Sequence, residues 1–317
     1  MSKPTLSDVD KYHLVDAYSP PETHHLLAEA GVAKSKLPWI DLILKSLLGG
    51  AFIAMGAAFD ITIAGGSPGL RASNPALVTM IGAFLFPVGF TFIILTNTEL
   101  ATSNFFTMMF STLMRRTTIY DLTRNWVTSY IFNFAGALFF AGVLTWWSDT
   151  LSTDAQSTYA VTQAEGRVNI NWAYNFTRGI GCNWLVGLAM YLATSGRDNT
   201  SKIYGLWIPI WAFVGLGYQH SIANFYLVPI GMFYGSNFGV GKFIWNSVIP
   251  VTLGNIVGGA SFCGCLFWVL YGREPTLVNE AGTQLGGDKR PGRNHHGAAS
   301  LPNGPTNGQQ HSGHDSV

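Results

Sequence analysis

The stretch Gly217–Gly231, with the sequence GYQHSIANFYLVPIG, places a glutamine, a histidine and an asparagine inside an otherwise apolar segment. The segment extends from Ile203 to Tyr234, which is longer than the 20 or so residues that one straight membrane crossing needs. An ionisable residue inside a membrane span is a candidate functional residue, because burying it in lipid is costly. The polar residues therefore indicate an interrupted helix with a functional centre.

The composition places the chain among integral membrane proteins. Of the 317 residues, 48% are hydrophobic and 11% are charged, compared with about 25% charged in an average soluble domain. A net charge of +1 gives no strong attraction to nucleic acid. The three cysteines are too few for a disulfide framework and all lie in apolar segments, so no metal site or other cofactor is expected.

Six apolar segments are long enough to cross a membrane, and their number and length argue against a soluble helical protein. We therefore predict an all-α integral membrane domain of six transmembrane helices. The predicted spans are Leu37–Ile63, Pro75–Met114, Leu122–Trp147, Trp172–Thr194, Ile203–Tyr234 and Trp245–Tyr271.

The distribution of lysine and arginine predicts the orientation of these spans. Thirteen of these residues fall in the N-terminal segment, in the regions after the second and fourth spans and in the C-terminal tail. The opposite side has only Arg71, Arg167 and Lys242. Since basic residues concentrate on the cytoplasmic side, we expect both termini to be cytoplasmic, in a multi-pass protein of the plasma membrane.

The segments that flank the spans differ in character. Residues 1–36 form a cytoplasmic segment with a short interfacial helix, in which Pro21 and Glu22 suit the first turn and Gly31 is a plausible stop. Residues 37–272 form the transmembrane domain. Residues 273–317 are rich in glycine, asparagine, histidine and proline, and they are predicted to form a disordered cytoplasmic tail.

The second and fifth spans carry similar interruptions. The sequence ATSN (101–104) interrupts the second span, and SIAN (221–224) interrupts the fifth. A proline precedes each interruption, Pro87 in the second span and Pro209 in the fifth. Three spans followed by three give halves of opposite topology, so the pattern predicts an inverted repeat with two broken helices near the bilayer midplane.

A broken helix inside a membrane must face protein or a water-filled cavity. The first N–H groups of its second half lack intrahelical partners, and with the helix dipole they form a positive pole. Two such poles would attract an anion to the midplane without a buried permanent cation.

Side chains near the breaks suggest a polar chamber between apolar constrictions. His220 and Asn224 are four residues apart and share one face if the second half-helix starts near His220. Phe86, Phe90 and Phe213 lie beside the breaks and are interpreted as constrictions. Packing is an equally good explanation for these phenylalanines, and His220 could instead be a structural histidine bonded to a backbone carbonyl.

Three stretches resemble the signature sequences of the formate/nitrite transporter family: NTELATSNFF (97–106), RGIGCNWLVGLAMYLATSGRD (178–198) and GYQHSIANFYLVPIGM (217–232). The resemblance covers about residues 20–271, and the long polar tail is most similar to fungal nitrite transporters of that family. It implies an aquaporin-like six-helix protomer, assembled as a homopentamer with one pore in each protomer.

The family roles can be transferred by position. His220 matches the central histidine of the pore, Thr102 a threonine that bonds toward that histidine, and Asn183 a pore-lining asparagine. Arg167 falls where bacterial members usually carry a lysine near the outer vestibule. The apolar constrictions of the family match Phe86, Phe90, Leu100 and Phe213.

The residue before the central histidine departs from the family pattern. It is often glutamate in the family but is Gln219 in this sequence. A neutral neighbour does not stabilise a protonated histidine as a carboxylate would. The resemblance therefore does not extend to a mechanism that needs a Glu–His charge pair.

The predicted function is transport of a small monovalent anion, most simply nitrite, linked to protons through His220. Formate, lactate and hydrosulfide remain alternatives. An aquaporin-type pore for neutral solutes would have two Asn-Pro-Ala boxes, but the only such box, at residues 74–76, lies at the start of a span. An enzyme using His220 or Cys182 lacks a companion acid–base set, so no enzymatic activity is expected.

Overall fold

This computed structural model describes residues 17–272 and two short strands further along the chain. Residues 17–272 are almost entirely helical. Parts of α6 and α11 are wound as π-helix. The elements in chain order are α1 (Pro20–Ser35), α2 (Trp39–Gly65), α3 (Pro68–Ser73), α4 (Pro75–Leu95), α5 (Ala101–Leu113), α6 (Ile119–Trp147), α7 (Asp154–Val168), α8 (Trp172–Ser195), α9 (Asn199–Gly215), α10 (Ser221–Phe233), α11 (Val240–Gly272), β1 (Leu277–Val278) and β2 (Gln284–Leu285).

Four helices in the described residues are long and apolar enough to cross a membrane: α2, α4, α6 and α11. The helix α8 has 24 residues and coincides with the predicted fourth span. The predicted fifth span corresponds to α9 and α10 together. The helices thus fall where the sequence predicts spans, while the number of crossings stays a prediction.

Local sequence signals explain where several helices begin. At α1, the backbone N–H of Ser19 donates to Glu22 Oε2 (2.8 Å) in a capping box, and two prolines occupy the first turn. At α7, Thr153 and Gln156 form another capping box. These caps satisfy N–H groups that the first helical turn cannot pair internally.

The sequence predicts that α1 stops at Gly31, and this prediction is wrong, because the helix continues to Ser35. Gly31 instead lies where α1 crosses α5, and a β-carbon there would overlap the side chain of Ser111. The Ser111 hydroxyl donates to the carbonyl of Ala28 across the same contact (2.9 Å). Glycine is present at position 31 because two helices approach closely, and a contact between distant residues gives no local signal.

Both predicted interruptions are breaks between separate helices. Residues 96–100 separate α4 from α5, and residues 216–220 separate α9 from α10. Each break contains one residue in the left-handed region, Asn97 (φ 52°) in the first and Gly217 (φ 70°) in the second. Glycine and asparagine adopt this conformation with least strain, so both residues suit the non-helical backbone between two helices.

The two breaks are held by the same pattern of hydrogen bonds. Asn133 of α6 accepts from the N–H of Ala101, the first residue of α5 (2.8 Å), and donates to the carbonyl of Glu99 (2.8 Å). Asn255 of α11 accepts from the N–H of Ser221, the first residue of α10 (2.8 Å), and donates to the carbonyl of Gln219 (3.0 Å). Each buried asparagine thus supports the non-helical backbone that lipid could not satisfy.

The helices pack in corresponding pairs around these breaks. The helix α2 packs on α6 and α8 packs on α11, while α1 covers α5 and α7 covers α10. The core between them includes fully buried Phe106, Phe110 and Tyr226. This arrangement brings the starts of α5 and α10 together, as the hydrogen bond between Thr102 and His220 shows.

The contacts within the chain divide it into two units, residues 1–274 and residues 275–317. The helices all belong to the first unit. In the second unit, β1 pairs antiparallel with β2. The rest of the predicted disordered tail lies outside the described residues, and so do residues 1–16 of the predicted N-terminal segment.

Candidate functional site

His220 is the N-cap residue of α10 and lies at the centre of the second break. The residue is 3% exposed, and its backbone is extended (φ −109°, ψ 118°). Its Nδ1 accepts from the N–H of Ala223 (3.0 Å), and its Nε2 lies 2.9 Å from the hydroxyl of Thr102 on α5. The imidazole therefore joins the two half-helices that follow the breaks.

These two contacts fix the tautomer of a neutral His220. Since Nδ1 accepts a backbone N–H, the ring proton is on Nε2 and is donated to the Thr102 hydroxyl. The hydroxyl hydrogen of Thr102 then has no acceptor among residues 17–272 and is available to a bound group. A doubly protonated ring would point an N–H of Nδ1 at the N–H of Ala223, so charging His220 requires that this cap be released.

A cavity of about 220 Å³ opens above His220. Its lining combines polar and charged side chains with aromatic rings. These include Asp60, Arg167, Gln219, Asn224, Phe86 and Phe213. We call it the outer cavity, because Arg167 lies on the side that the sequence predicts to be outside.

Two of the four predicted constriction residues meet at this cavity. The rings of Phe86 and Phe213 are 5.8 Å apart and nearly perpendicular, and the ring of Phe213 stacks on His220 at 5.8 Å. Phe90 and Leu100 are fully buried and do not line the outer cavity. Apolar rings thus lie directly beside the imidazole.

Arg167 lies near the end of α7, a helix that covers α10 and that the sequence prediction missed. Its guanidinium donates to the carbonyl and the side-chain oxygen of Gln163 (2.8 and 2.6 Å). The helix buries only Ala160, Ala164 and Val168. Small residues give a weak apolar pattern, which is why hydrophobicity did not indicate this helix.

Gln219 and Asn224 form a polar edge of the outer cavity. The amide of Asn224 donates to Gln219 Oε1 (3.1 Å) and lies 3.2 Å from the hydroxyl of Ser247 on α11. His220 is the N-cap residue of α10 and Asn224 lies in its first turn, and both residues line the outer cavity.

Asn183 is fully buried on α8 and does not line the outer cavity. Its amide donates to the backbone carbonyls of Thr102 (3.0 Å) and Asn255 (2.7 Å). It therefore positions the start of α5 against α11. Its Oδ1 has no hydrogen-bond partner in the described part of the chain.

The first break carries a buried ion pair that the sequence did not indicate. Lys34 of α1 donates to Glu99 at 2.7 Å, and the carboxylate also accepts from Asn104 (2.7 Å) and Asn125 (3.1 Å). Lys34 also lines a second cavity, of about 290 Å³, together with Ile93. Phe86 on α4 lines the outer cavity, and Ile93, seven residues later on the same helix, lines the second cavity. Because seven residues of α-helix span about 10 Å, the two cavities lie at different depths along α4. We call the second one the inner cavity.

The positive poles expected at the half-helices are partly satisfied by the protein. At α10, the N–H groups of Ser221 and Ala223 are bonded to Asn255 and His220. In the described residues, the N–H groups of Ile222, Thr102 and Ser103 have no acceptor. Fewer donors remain for an anion than an uncapped helix start would provide.

Broken helices, a cavity lined by a buried histidine and a second cavity further along α4 are features of a membrane channel or transporter. Residues 21–269 match the formate/nitrite transporter family. The chain belongs to this family, whose members are channels and transporters rather than enzymes.

Named relatives and a solved structure agree with this membership. The chain is 40% identical over 273 residues to a probable formate transporter of Methanothermobacter thermautotrophicus, covering 81% of this chain and 98% of the relative. An uncharacterized transporter of Saccharomyces cerevisiae is 30% identical, covering 80% of this chain and 40% of the relative. A pentameric formate channel with formate bound matches with a TM-score of 0.65 and 26% identity, covering 74% of this chain and 98% of that one.

Proposed function

We propose that the chain carries a small monovalent anion, most simply nitrite, across the plasma membrane through a pore inside each protomer. The observation that carries the proposal is the buried His220–Thr102 pair, in which His220 lines the outer cavity beside the Phe86–Phe213 contact. A donor pair next to an apolar barrier suits an anion that must exchange its water shell for protein donors before it crosses.

In this proposal Arg167 attracts the anion into the outer cavity. The anion meets Phe86 and Phe213, which oppose a bare charge because an unpaired ion is costly to bury. The free hydroxyl hydrogen of Thr102 and nearby backbone N–H groups offer it hydrogen bonds. Phe90 and Leu100 form the second constriction, beyond which the anion enters the inner cavity beside the Lys34–Glu99 ion pair.

We further propose that His220 accepts a proton only together with the anion. In the resting site Nδ1 caps α10, which keeps the ring neutral. An anion beside the ring offsets the cost of releasing that cap and charging the imidazole. Binding of anion and proton is then linked, and this linkage does not require a glutamate at position 219.

The corresponding hydrogen bonds at the two breaks support the predicted inverted repeat of six spans. The solved relative described as pentameric supports the same assembly for this chain. The basic residues of the sequence support cytoplasmic termini, and on that orientation the cavity with Arg167 faces outward.

Nitrite is preferred because the sequence resembles fungal nitrite transporters, whereas several named relatives are formate transporters or channels. Both anions are small, planar and monovalent, so the cavity gives no strong means of separating them. Formate is therefore the second candidate, and it is favoured by the formate bound in the structurally similar channel.

The experiment is uptake of nitrite into liposomes that contain the purified protein, with formate, lactate and hydrosulfide as competitors. Nitrite uptake should exceed that of protein-free liposomes, and excess formate should inhibit it. Passage of a neutral solute such as glycerol without any anion uptake would contradict the proposal.

A further inference from the structure

The two breaks differ in the charge they carry at one corresponding position. At the first break Glu99 comes just before the N-cap of α5, and its carboxylate neutralises the cation of Lys34 at 2.7 Å. At the second break the corresponding residue, just before the N-cap of α10, is Gln219, whose side chain is neutral. The cation beside the second break therefore lacks the carboxylate partner that Lys34 has.

That cation is Arg167, and its guanidinium is bonded to oxygens of Gln163 rather than to an acid. In residues 17–272 the ion pairs within 4.0 Å are those of Lys34 with Glu99 and of Arg116 with Glu29. The charge of Arg167 is thus not cancelled by direct contact with a carboxylate.

Asp60, near the end of α2, brings a carboxylate to the same outer cavity as Arg167 and His220. The side chain is half-buried and has no hydrogen-bond partner in the described part of the chain. Its carboxylate lies against Gly82 of α4, where a β-carbon would overlap it. The carboxylate is therefore held at the cavity wall by packing.

The other charged and titratable groups near Asp60 leave its carboxylate without a contacting counter-ion. The rings of Tyr159 on α7 and Tyr226 on α10 lie within electrostatic range. Arg71 lies over the Tyr159 ring (4.6 Å) and donates to the carbonyls of Ala64 and Gly65 at the end of α2 (2.5 and 2.6 Å). Arg71 therefore caps a helix end, which leaves Arg167 as the cation that shares the cavity with Asp60.

We propose that Asp60 sets the affinity of the outer cavity for the transported anion, because its carboxylate balances the positive charge of Arg167 at the same cavity. Glu99 offsets the charge of Lys34 by direct contact, and Asp60 offsets the charge of Arg167 across the cavity. The inference rests on the proposed function, since it concerns the attraction of that cavity for the transported anion.

The physical reason for such a balance lies in release of the anion. A cavity with only Arg167 would hold an anion tightly, and transport requires a site weak enough for the anion to leave. A nearby negative charge weakens binding without removing the positive charge that attracts the anion. Because the two charges are separated across a cavity, their effects on an anion are expected to oppose each other nearly independently.

The test is the kinetics of nitrite uptake into proteoliposomes at fixed pH and low ionic strength. Asp60→Asn should lower KM for nitrite about three- to tenfold without raising the maximal rate, and Arg167→Gln should raise KM. The double variant Asp60→Asn with Arg167→Gln has no net change of charge, so its KM should return toward that of the parent. The matched control is Asp154→Asn, which removes an exposed carboxylate from the first turn of α7, outside the cavity, and should leave KM unchanged.

Salt separates an electrostatic role from a structural one. The difference in KM between the parent and Asp60→Asn should shrink as ionic strength rises, because salt screens charges across a wet cavity. Asp60→Ser is a second neutral variant, for use if the asparagine is not accommodated, and it should lower KM in the same direction.

An unchanged or raised KM in both neutral variants, or a double variant worse than either single one, would overturn the inference. These results require that the parent transports nitrite. A parent without nitrite or formate uptake would refute the proposed function instead, so the two failures are distinguishable.

Discussion

At the scale of single residues, the site depends on which nitrogen of His220 carries the proton. Nδ1 is committed to the N–H of Ala223, so Nε2–H is directed at Thr102. The threonine hydroxyl accepts this hydrogen bond, so its own O–H is free to donate to another group. The donor presented to an anion is thus a hydroxyl whose orientation is set by the imidazole behind it.

Thr102→Val tests this arrangement, because it nearly preserves the volume while removing the hydroxyl. The change leaves Nε2–H unsatisfied and removes one donor, at a cost of about 1–3 kcal/mol. Nitrite uptake should fall by about tenfold or more. Thr102→Ser, which keeps a hydroxyl, is the matched control and should retain most of the uptake. Equal uptake by the valine variant and the parent would show that Thr102 is a packing residue.

The sequence predicted the polar residues of the second break and missed the acidic ones. His220 and Asn224 were indicated because polar groups inside an apolar segment need a reason. Asp60 and Glu99 also lie in predicted spans. Their roles depend on the cations near them, Arg167 and Lys34, which are distant in sequence and so could not be paired with them from the sequence. The family resemblance led to Thr102, Asn183 and Arg167, and the structure added which hydrogen bonds each one makes.

At the scale of helices, two buried asparagines support the breaks. Asn133 and Asn255 each accept from the first N–H of a half-helix and donate to the carbonyl two residues before it. Each side chain replaces the hydrogen bonds that an uninterrupted helix would have made. The breaks are therefore stable features of the fold rather than points of local unwinding.

Asn255→Leu should destabilise the start of α10, because it leaves the N–H of Ser221 and the carbonyl of Gln219 without partners. Each unsatisfied buried group costs about 1–3 kcal/mol. We expect a lower midpoint of thermal unfolding in detergent and loss of uptake. Asn133→Leu should have a similar effect through α5, whereas Asn246→Leu, at the half-buried rim of α11, should cost less. A midpoint for Asn255→Leu within error of the parent would contradict this account.

The breaks were predictable as elements, whereas α7 and the true end of α1 were not. An apolar segment that is too long and carries polar residues in its middle predicts a broken helix from composition alone. The buried face of α7 is made of alanines and one valine, which resemble a loop in a hydrophobicity pattern. The continuation of α1 past Gly31 depends on its contact with α5, and neither segment indicates that contact by itself.

At the scale of the whole molecule, the described helices form one unit and residues 275–317 another. The residues of both cavities all belong to the first unit. The sequence of the second unit is polar and rich in glycine, with few apolar side chains to pack against a pore. Transport is therefore expected to depend on the first unit alone.

Deletion of the residues after Arg273 should leave nitrite uptake per molecule unchanged. The pathway proposed above uses residues from Lys34 to His220, and none of them comes from the tail. The measurement is uptake by the truncated protein in liposomes, normalised to the amount of reconstituted protein. Loss of uptake by a truncated protein that still assembles normally would assign the tail a part in transport.

The central claim is that anion and proton meet at His220, and nitrite flux into proteoliposomes at a series of external pH values tests it most directly. The variant is His220→Asn, because asparagine is a favourable N-cap residue and preserves the start of α10 while removing the titrating ring. The account predicts that uptake by the parent rises as external pH falls from about 7.5 to about 5.5, across the range in which histidine ordinarily titrates. It predicts low uptake with a flat profile for the variant. Identical pH profiles for the parent and the variant would contradict the account and leave His220 as a structural cap of the broken helix.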